Sequence, residues 1–370
     1  MNCKQDNNMF LYYTILFITL FFYLRIYSSK LKNKRSIYII LSFILLIIIS
    51  SIRAKTVGGD LNHYIPNYTI IGKQSWEQLF ETRYKYGYIY SILCKIAYSI
   101  NTSEQSYLFL TSLCNLLPIA YFIKKHSPRP WLSIYIYITM GFYTNTFNSV
   151  RSSIALALGV FMLHYIIERK FWIFFIYYLA ALEIHQTFFP FIILYPLCQK
   201  KVSLKYIIGV ITLCFILAQI LLRSNIISII AYLYDPGAYS NSISETFERA
   251  GYSLFLLLSA MTFAFYLINK NNITNEIQLF LHCMVIGSGI QAFAICAGVV
   301  TRVAMFFYIV IIVLFPISLL NIKNLKLRRW GYFITLILFF LYFKIFIMTP
   351  DSINKTNSQG TIPYKTHWER

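Results

Sequence analysis

Five polar groups stand out in a chain of 370 residues that is otherwise largely hydrocarbon: Arg53, Asp60, Arg151, His185 and Arg302. The three guanidinium groups could grip phosphate oxygens, because each offers N–H donors in a planar fork that matches them two at a time. The imidazole could take or give a proton near neutral pH. An anionic, lipid-linked head group is the natural ligand for such cations, and a diphosphate is the best match.

Each group also has an ordinary reading. Arg53 ends an apolar run and could merely snorkel. Alternatively, Gly58 and Gly59 let the backbone turn tightly so that Arg53 and Asp60 face one pocket. Arg151 could anchor a rim, yet Asn148, Ser149, Ser152 and Ser153 surround it and Ala155, Ala157 and Gly159 follow. Small faces permit close helix packing, so Arg151 is expected to point inward. His185, in Glu183-Ile184-His185-Gln186-Thr187, could be a buried hydrogen-bond partner. Arg302 sits just inside the end of an apolar run after Gly298, where a cation is a functional candidate by default. Tyr64, Tyr68, Tyr86 and Tyr88 carry rings able to stack on sugars. His164 and His282, inside apolar runs, read as packing residues.

The elements that must position these groups are membrane helices. The chain is 58% hydrophobic and 12% charged, too apolar for a soluble domain. A crossing needs ~20 apolar residues. On that measure the spans are Met9–Tyr27, Ile37–Ile52, Tyr107–Ile123, Trp131–Thr146, Val150–Ile167, Phe171–Glu183, Phe188–Cys198, Leu204–Leu222, Tyr252–Ile268, Ile277–Cys296, Val299–Leu320 and Tyr332–Met348. The expected fold is therefore all-α: one polytopic domain over 1–370, a bundle of about 12 transmembrane helices in the lipid bilayer. The arms 171–183 and 188–198 reach only ~20 Å at ~1.5 Å per residue, short of the ~30 Å hydrocarbon core. The turn with Glu183, His185 and Gln186 should then lie below the membrane surface, in a wet or protein-lined cavity.

The formal charge of +20 sits in short links between apolar runs, as topology signals do, so a nucleic-acid partner is excluded. The basic links around Lys30–Arg35, Lys124–Arg129, Arg169–Lys170, Lys200–Lys205, Lys270 and Lys323–Arg329 mark cytoplasmic ends. The links 53–106, 147–150, 184–187, 223–251, 297–298 and the tail 349–370 are then extracytoplasmic, and Arg53, Arg151 and Arg302 share one outer rim. Parity holds if Tyr88–Ile100 does not cross. That segment is shorter than a crossing, with Ser91, Lys95 and Tyr98 on one stripe and Ile89, Leu93, Ile96, Ala97 and Ile100 opposite, and reads as an interfacial helix.

Other chemistry is set aside. No dinucleotide, Walker, zinc-protease or nucleophile-elbow pattern occurs. No paired aspartates sit on a loop for a metal–nucleotide site, and the seven Cys are scattered small hydrophobes, so neither metal nor cofactor is called for.

At this point the pattern resembles the EpsG family of Wzy-type polysaccharide polymerases. The residues that carry the resemblance are, in order, Arg53 with Gly58-Gly59-Asp60, Tyr64 and Tyr68; Tyr86-Gly87-Tyr88; Val150-Arg151 with Ile154-Ala155; Ile184-His185-Gln186-Thr187; Arg302; and Ile362-Pro363-Tyr364-Lys365. Where the family usually carries Glu before the short helix, this chain has Lys85, and Glu81 is a substitute one turn earlier. The family's Arg-Gln reads Arg151-Ser152 here, and its His-x-Ser-Ala reads His185-Gln186-Thr187-Phe188. The resemblance implies a glycosyltransferase of the bacterial plasma membrane. Its substrate would be an undecaprenyl-diphosphate-linked oligosaccharide, its product a capsular, exopolysaccharide or O-antigen chain, and its partners a flippase and a chain-length regulator. It implies Arg151 and Arg302, supported by Arg53, on the diphosphate, Tyr64 and Tyr68 on the sugar, and Asp60 or His185 as base. A flippase for the same lipid-linked sugar and an O-antigen ligase are the competing classes. No paired interrupted spans mark inverted repeats.

Overall fold

The computed structural model describes residues 3–81, 86–223, 245–297, 299–349, 357 and 359–369. Lys85, Gly298, most of the 223–251 link, residues 350–356 and residue 358 lie outside the described residues. The chain divides into two compact units. One comprises Met1–Met162, Phe175–Gln186 and Lys323–Arg370; the other comprises Leu163–Phe174 and Thr187–Ile322.

Among the described residues every regular element is helical, and eight helices are long and apolar enough to cross a membrane, or nine with one bent pair counted as a span. The expected number was about twelve. Besides the bent pair, three of the expected spans are short or broken pieces. Trp131–Thr146 is two helices, α7 (Pro130–Thr139) and α8 (Phe142–Asn148), parted at Gly141 with φ +78°. A side chain there would strike Ile347, and the left-handed turn suits glycine. Phe171–Glu183 is the short α10 (Phe171–Ile184), and 188–198 is a 3₁₀ stretch, Gln186–Ile193, followed by α11 (Leu194–Leu197).

In the first unit, α1 (Cys3–Ser28), α2 (Lys34–Ile52), α6 (Glu104–His126), the start of α9 (Val150–Ile167) and α17 (Leu325–Tyr342) supply the long helices. α2 packs on α6 through a small polar seam, where Ser112 Oγ donates to Ser50 Oγ at 2.6 Å. Small residues let two helix backbones approach where no hydrophobic drive separates helix from lipid. Ile40, Ile44 and Ile48 remain exposed on the opposite side of α2, as lipid-facing residues should. Three short helices follow α2: α3 (Leu61–Lys73), α4 (Trp76–Glu81) and α5 (Tyr88–Ile100). α5 buries Tyr90, Ser91, Cys94 and Ala97, and leaves Ile89, Ile96 and Ile100 exposed. Lys95 donates to the carbonyls of Gly72 and Gln74, which favours a cation at the C-terminus of α3.

The second unit is built on α14 (Asn275–Ala292), most of it buried, with α12 (Leu204–Arg223), α13 (Glu245–Asn269), α15 (Val300–Tyr308) and α16 (Ile311–Asn321). α15 and α16 form the bent pair, at 42°. Several buried polar groups are paired: the Thr262 and Ser288 hydroxyls lie 3.0 Å apart, and Asn269 donates to Ser318 Oγ at 2.7 Å. His282 has its ring nitrogens at the Lys200 carbonyl and the Tyr206 hydroxyl, a packing histidine with partners.

Candidate functional site

The chain leaves α2 at Arg53 in extended conformation, and the C-terminal tail pairs with it there. Arg53 and Thr366 form an antiparallel bridge, Ala54 N donates to Lys365 O at 2.8 Å, and His367 N donates to Ile52 O at 2.9 Å. Tyr364 OH donates to Ile49 O at 2.6 Å, and Gly58 N donates to Gly360 O at 2.8 Å. The tail therefore forms one wall of the stretch that carries Arg53 and Asp60. Nothing in the spacing of either segment signalled that pairing.

Arg53 is 1% exposed. Its guanidinium donates to the Ser50 carbonyl and to Ser50 Oγ at 2.8 Å, and lies 4.7 Å from the centroid of the Phe147 ring. Burial draws its pKa down to about 10. The rim cation expected to snorkel or to line an open pocket is instead a packed interior group, held over an aromatic face. The Gly pair makes a tight turn, and its second purpose is close packing: a Cβ on Gly58, at φ +111°, would overlap the Phe147 carbonyl. Asp60 N donates to Asn148 Oδ1 at 3.0 Å, which fixes the half-buried Asp60 at the N-cap of α3.

Arg151, in the first turn of α9, turns inward. Its Nη2 donates to Ile184 O at 2.6 Å and to Tyr86 O at 3.1 Å. The guanidinium carbon sits 4.6 Å from the Tyr86 ring centroid and 5.5 Å from that of Tyr90. Its Nε is buried and makes no hydrogen bond within the protein. Ile184 is the last residue of α10, and His185 follows it directly, half-buried, with its N–H on Ala181 O at 2.9 Å. One hydrogen bond thus brings Arg151 to the residue beside His185.

Glu183 completes the node from the other side. Its carboxylate accepts the Tyr88 N–H and, at 3.0 Å, the Ile89 N–H, the first two amides of α5. Those amides have no partner within the helix, and a negative charge is favoured at that end. Gly87, at φ +84°, lies so close that a side chain there would collide with Glu183. Arg151 on the Tyr86 carbonyl and Glu183 on the Tyr88 and Ile89 amides therefore hold the same short segment. The polar Glu183 at the end of apolar α10 was visible in the sequence; the amides that it caps were not. Glu81, the substitute considered there, is exposed at the end of α4.

Glu183→Ala is expected to cost about 1–3 kcal/mol, the loss of charged acceptors for two terminal amides. Glu183→Gln keeps an acceptor and should recover part of it. Thermal unfolding midpoints of the detergent-purified variants check this, and equal midpoints for all three proteins would leave the cap without a stabilising role.

The two tyrosines expected to meet sugar are placed differently. Tyr64 is half-buried, with ring centroids 5.8 Å from Tyr86 and 6.0 Å from Tyr90, and so belongs to the aromatic bed beneath Arg151. Tyr68 is 0% exposed, its ring 5.2 Å from Tyr107 and its hydroxyl on the carbonyls of Asn101 and Ser103. Burial pushes its phenol up to about 12, which keeps it protonated as the donor that ties α3 to the 101–103 link. It has no face open for stacking.

Arg302 lies half-buried in the first turn of α15, in the second unit; the site described here is composed of first-unit residues alone. Among the described residues, no three His, Cys, Asp or Glu side chains are grouped to hold a metal ion.

The EpsG family profile matches residues 36–366. No curated protein and no solved structure matches the chain.

Proposed function

The chain belongs to the EpsG family, and from that premise we propose that it polymerises lipid-linked oligosaccharide repeats at the outer face of the bacterial plasma membrane. In this reading the chain crosses the bilayer about twelve times, with the short α10, the 3₁₀–α11 segment and the α7–α8 pair completing the bundle. Such short, irregular pieces are tolerated at membrane depth when protein or a water-filled cavity surrounds them.

The reaction is a glycosyl transfer. An acceptor hydroxyl attacks the anomeric carbon of the donor repeat and forms the new C–O bond. The bond from that carbon to the diphosphate oxygen breaks, and undecaprenyl diphosphate leaves with the electron pair. The hydroxyl proton passes to a base, for which Asp60 and His185 are the candidates. Charge grows on the leaving diphosphate, so a prearranged cation there lowers the barrier.

The observation that supports this reading is the state of Arg151. One terminal nitrogen is anchored to two carbonyls, while the buried Nε makes no bond within the protein. A buried donor without an acceptor costs about 1–3 kcal/mol. Arg53 Nε shares that state, but Arg151 is the less buried of the two and lies beside His185, where an anionic oxygen of the substrate would relieve it. The Tyr86 and Tyr90 rings, with Tyr64 packed against both, give the cation an aromatic floor. Arg53 and Tyr68 then act by holding the loop and α3 in place.

Deletion of the gene tests the assignment. Cells without it are expected to accumulate a single lipid-linked repeat exposed outside, with polymer restored by the wild-type gene. A repeat trapped inside would mean a flippase, and full-length polymer left on the lipid carrier would mean a ligase; either result overturns the proposal.

A further inference from the structure

The second unit contains a cavity of about 210 Å³ that has no place in the proposed reaction. Arg169, Gln199, Asn275 and Gln278 line it, over a floor of Ile167 and Leu279. It is several times the ~30 Å³ share of a water molecule. Beside the Cys198 thiol, its polar side chains are a cation and three amides, which supply the donors of an anion site.

The local structure fixes that cation. α9 must reverse into α10 within three residues, and Arg169 makes the turn at φ +60°, a conformation that L residues seldom adopt. It is held there reciprocally: Arg169 Nη1 donates to Tyr195 O at 3.3 Å, and Tyr195 OH donates to Arg169 O at 3.1 Å. The neighbouring carboxylate is already taken, because Glu168 pairs with His164 at 2.8 Å and with Lys170 at 2.7 Å. Among the described residues Arg169 has no ion pair of its own. From the opposite wall, Gln278 Nε2 donates to Cys198 O at 2.9 Å, which sets the first turn of α14 against the end of α11. Asn275 opens α14, where the helix dipole favours negative charge, and Glu276 beside it is the carboxylate of that turn.

The surroundings indicate the kind of anion. Lys170, Lys200 and Lys201 flank the cavity in sequence, and Trp172, 73% exposed, follows Lys170 at the start of α10. Exposed Trp beside Lys and Arg is the pattern of a membrane–water interface. Basic pockets between helices at that depth take lipid head groups.

We propose that this cavity binds the phosphate of an anionic phospholipid head group, with Arg169 as the principal cation. The test uses the full chain in mixed micelles containing phosphatidylglycerol or phosphatidylcholine, and separately with inorganic phosphate. Arg169→Gly removes the guanidinium and accepts φ +60° without strain, so it should fold; Lys326→Gln removes a basic charge far along the chain. The expected result is a thermal midpoint several degrees higher in phosphatidylglycerol than in phosphatidylcholine for the wild type and for Lys326→Gln. Arg169→Gly should lose at least half of that rise. If millimolar inorganic phosphate gives the wild type the same protection, the phosphate chemistry stands and the lipid source is overturned. An unchanged rise in Arg169→Gly, or an equal loss in both variants, overturns the site.

Discussion

Arg151→Ala is expected to reduce polymer formation by about 10²–10³-fold per molecule of folded protein, the usual effect of removing one prearranged donor from a developing negative charge. The residue's position is hard to explain by helix stability, since a cation in the first turn of α9 opposes the helix dipole. It does stabilise its neighbours: its Nη2 bonds the terminal carbonyl of α10 and the Tyr86 carbonyl. Losing those bonds should cost about 1–3 kcal/mol, so activity must be normalised to folded, membrane-inserted protein. Arg151→Lys separates charge from shape. A lysine keeps the charge as a point without the planar fork, so it cannot both anchor to two carbonyls and offer a second donor to phosphate. Its activity should fall by roughly tenfold or more, because Arg and Lys are not equivalent at such a site. Product length on gels, together with the amount of single lipid-linked repeat, gives the readout. Full-length polymer at the wild-type rate from folded Arg151→Ala would remove Arg151 from the proposed site.

The parts of this site that were legible in the sequence are those carried by local pattern. α5 has the bounds expected, Tyr88–Ile100, because Gly87 opens it at positive φ and the chain turns extended at Asn101. Its faces could be sorted into two stripes but not assigned. Beside a bilayer an exposed apolar stripe is normal, and here Ile89, Ile96 and Ile100 are exposed while Ser91 is buried. Arg151 was expected to face inward because of the small residues around it, and that feature is also local. What could not be read depends on contacts between distant segments. Arg53 and Phe147 are far apart in sequence, and only the folded bundle shows that the ring covers the guanidinium. Glu183 caps a helix nearly a hundred residues away, and the tail that pairs with Ala54 comes from the far end of the chain. Fewer helices than the expected twelve are long enough to cross on their own, for a related reason. Hydropathy counts apolar residues without seeing Gly141 break a run into two short helices.

The largest expected effect on stability lies at Gly58. Gly58→Ala should destabilise the protein by about 3 kcal/mol or more, the sum of a strained backbone and an overpacked contact. Both terms are present: φ is +111°, and the added Cβ would overlap the carbonyl of Phe147, a backbone atom that cannot rotate away. The consequence reaches the site, because Phe147 covers Arg53 and the next residue, Asn148, holds the Asp60 amide. Three further glycines order the scale. Gly360→Ala should be the next most costly, since φ is +64° and its Cβ would lie 2.8 Å from Gly59 N. Gly59→Ala meets only Asn148 Oδ1 at 3.4 Å and should be tolerated. Gly209, within α12, has nothing within 4 Å, so Gly209→Ala should gain about 0.5–1 kcal/mol from helix propensity. Because Gly58 N donates to Gly360 O, the Gly58→Ala and Gly360→Ala changes disturb one contact, and together they should cost less than their sum. Thermal midpoints of the purified variants give the ranking. A Gly58→Ala protein as stable as Gly59→Ala would mean that the turn is not pressed against Phe147, and the placement of Arg53 and Asp60 would fail with it.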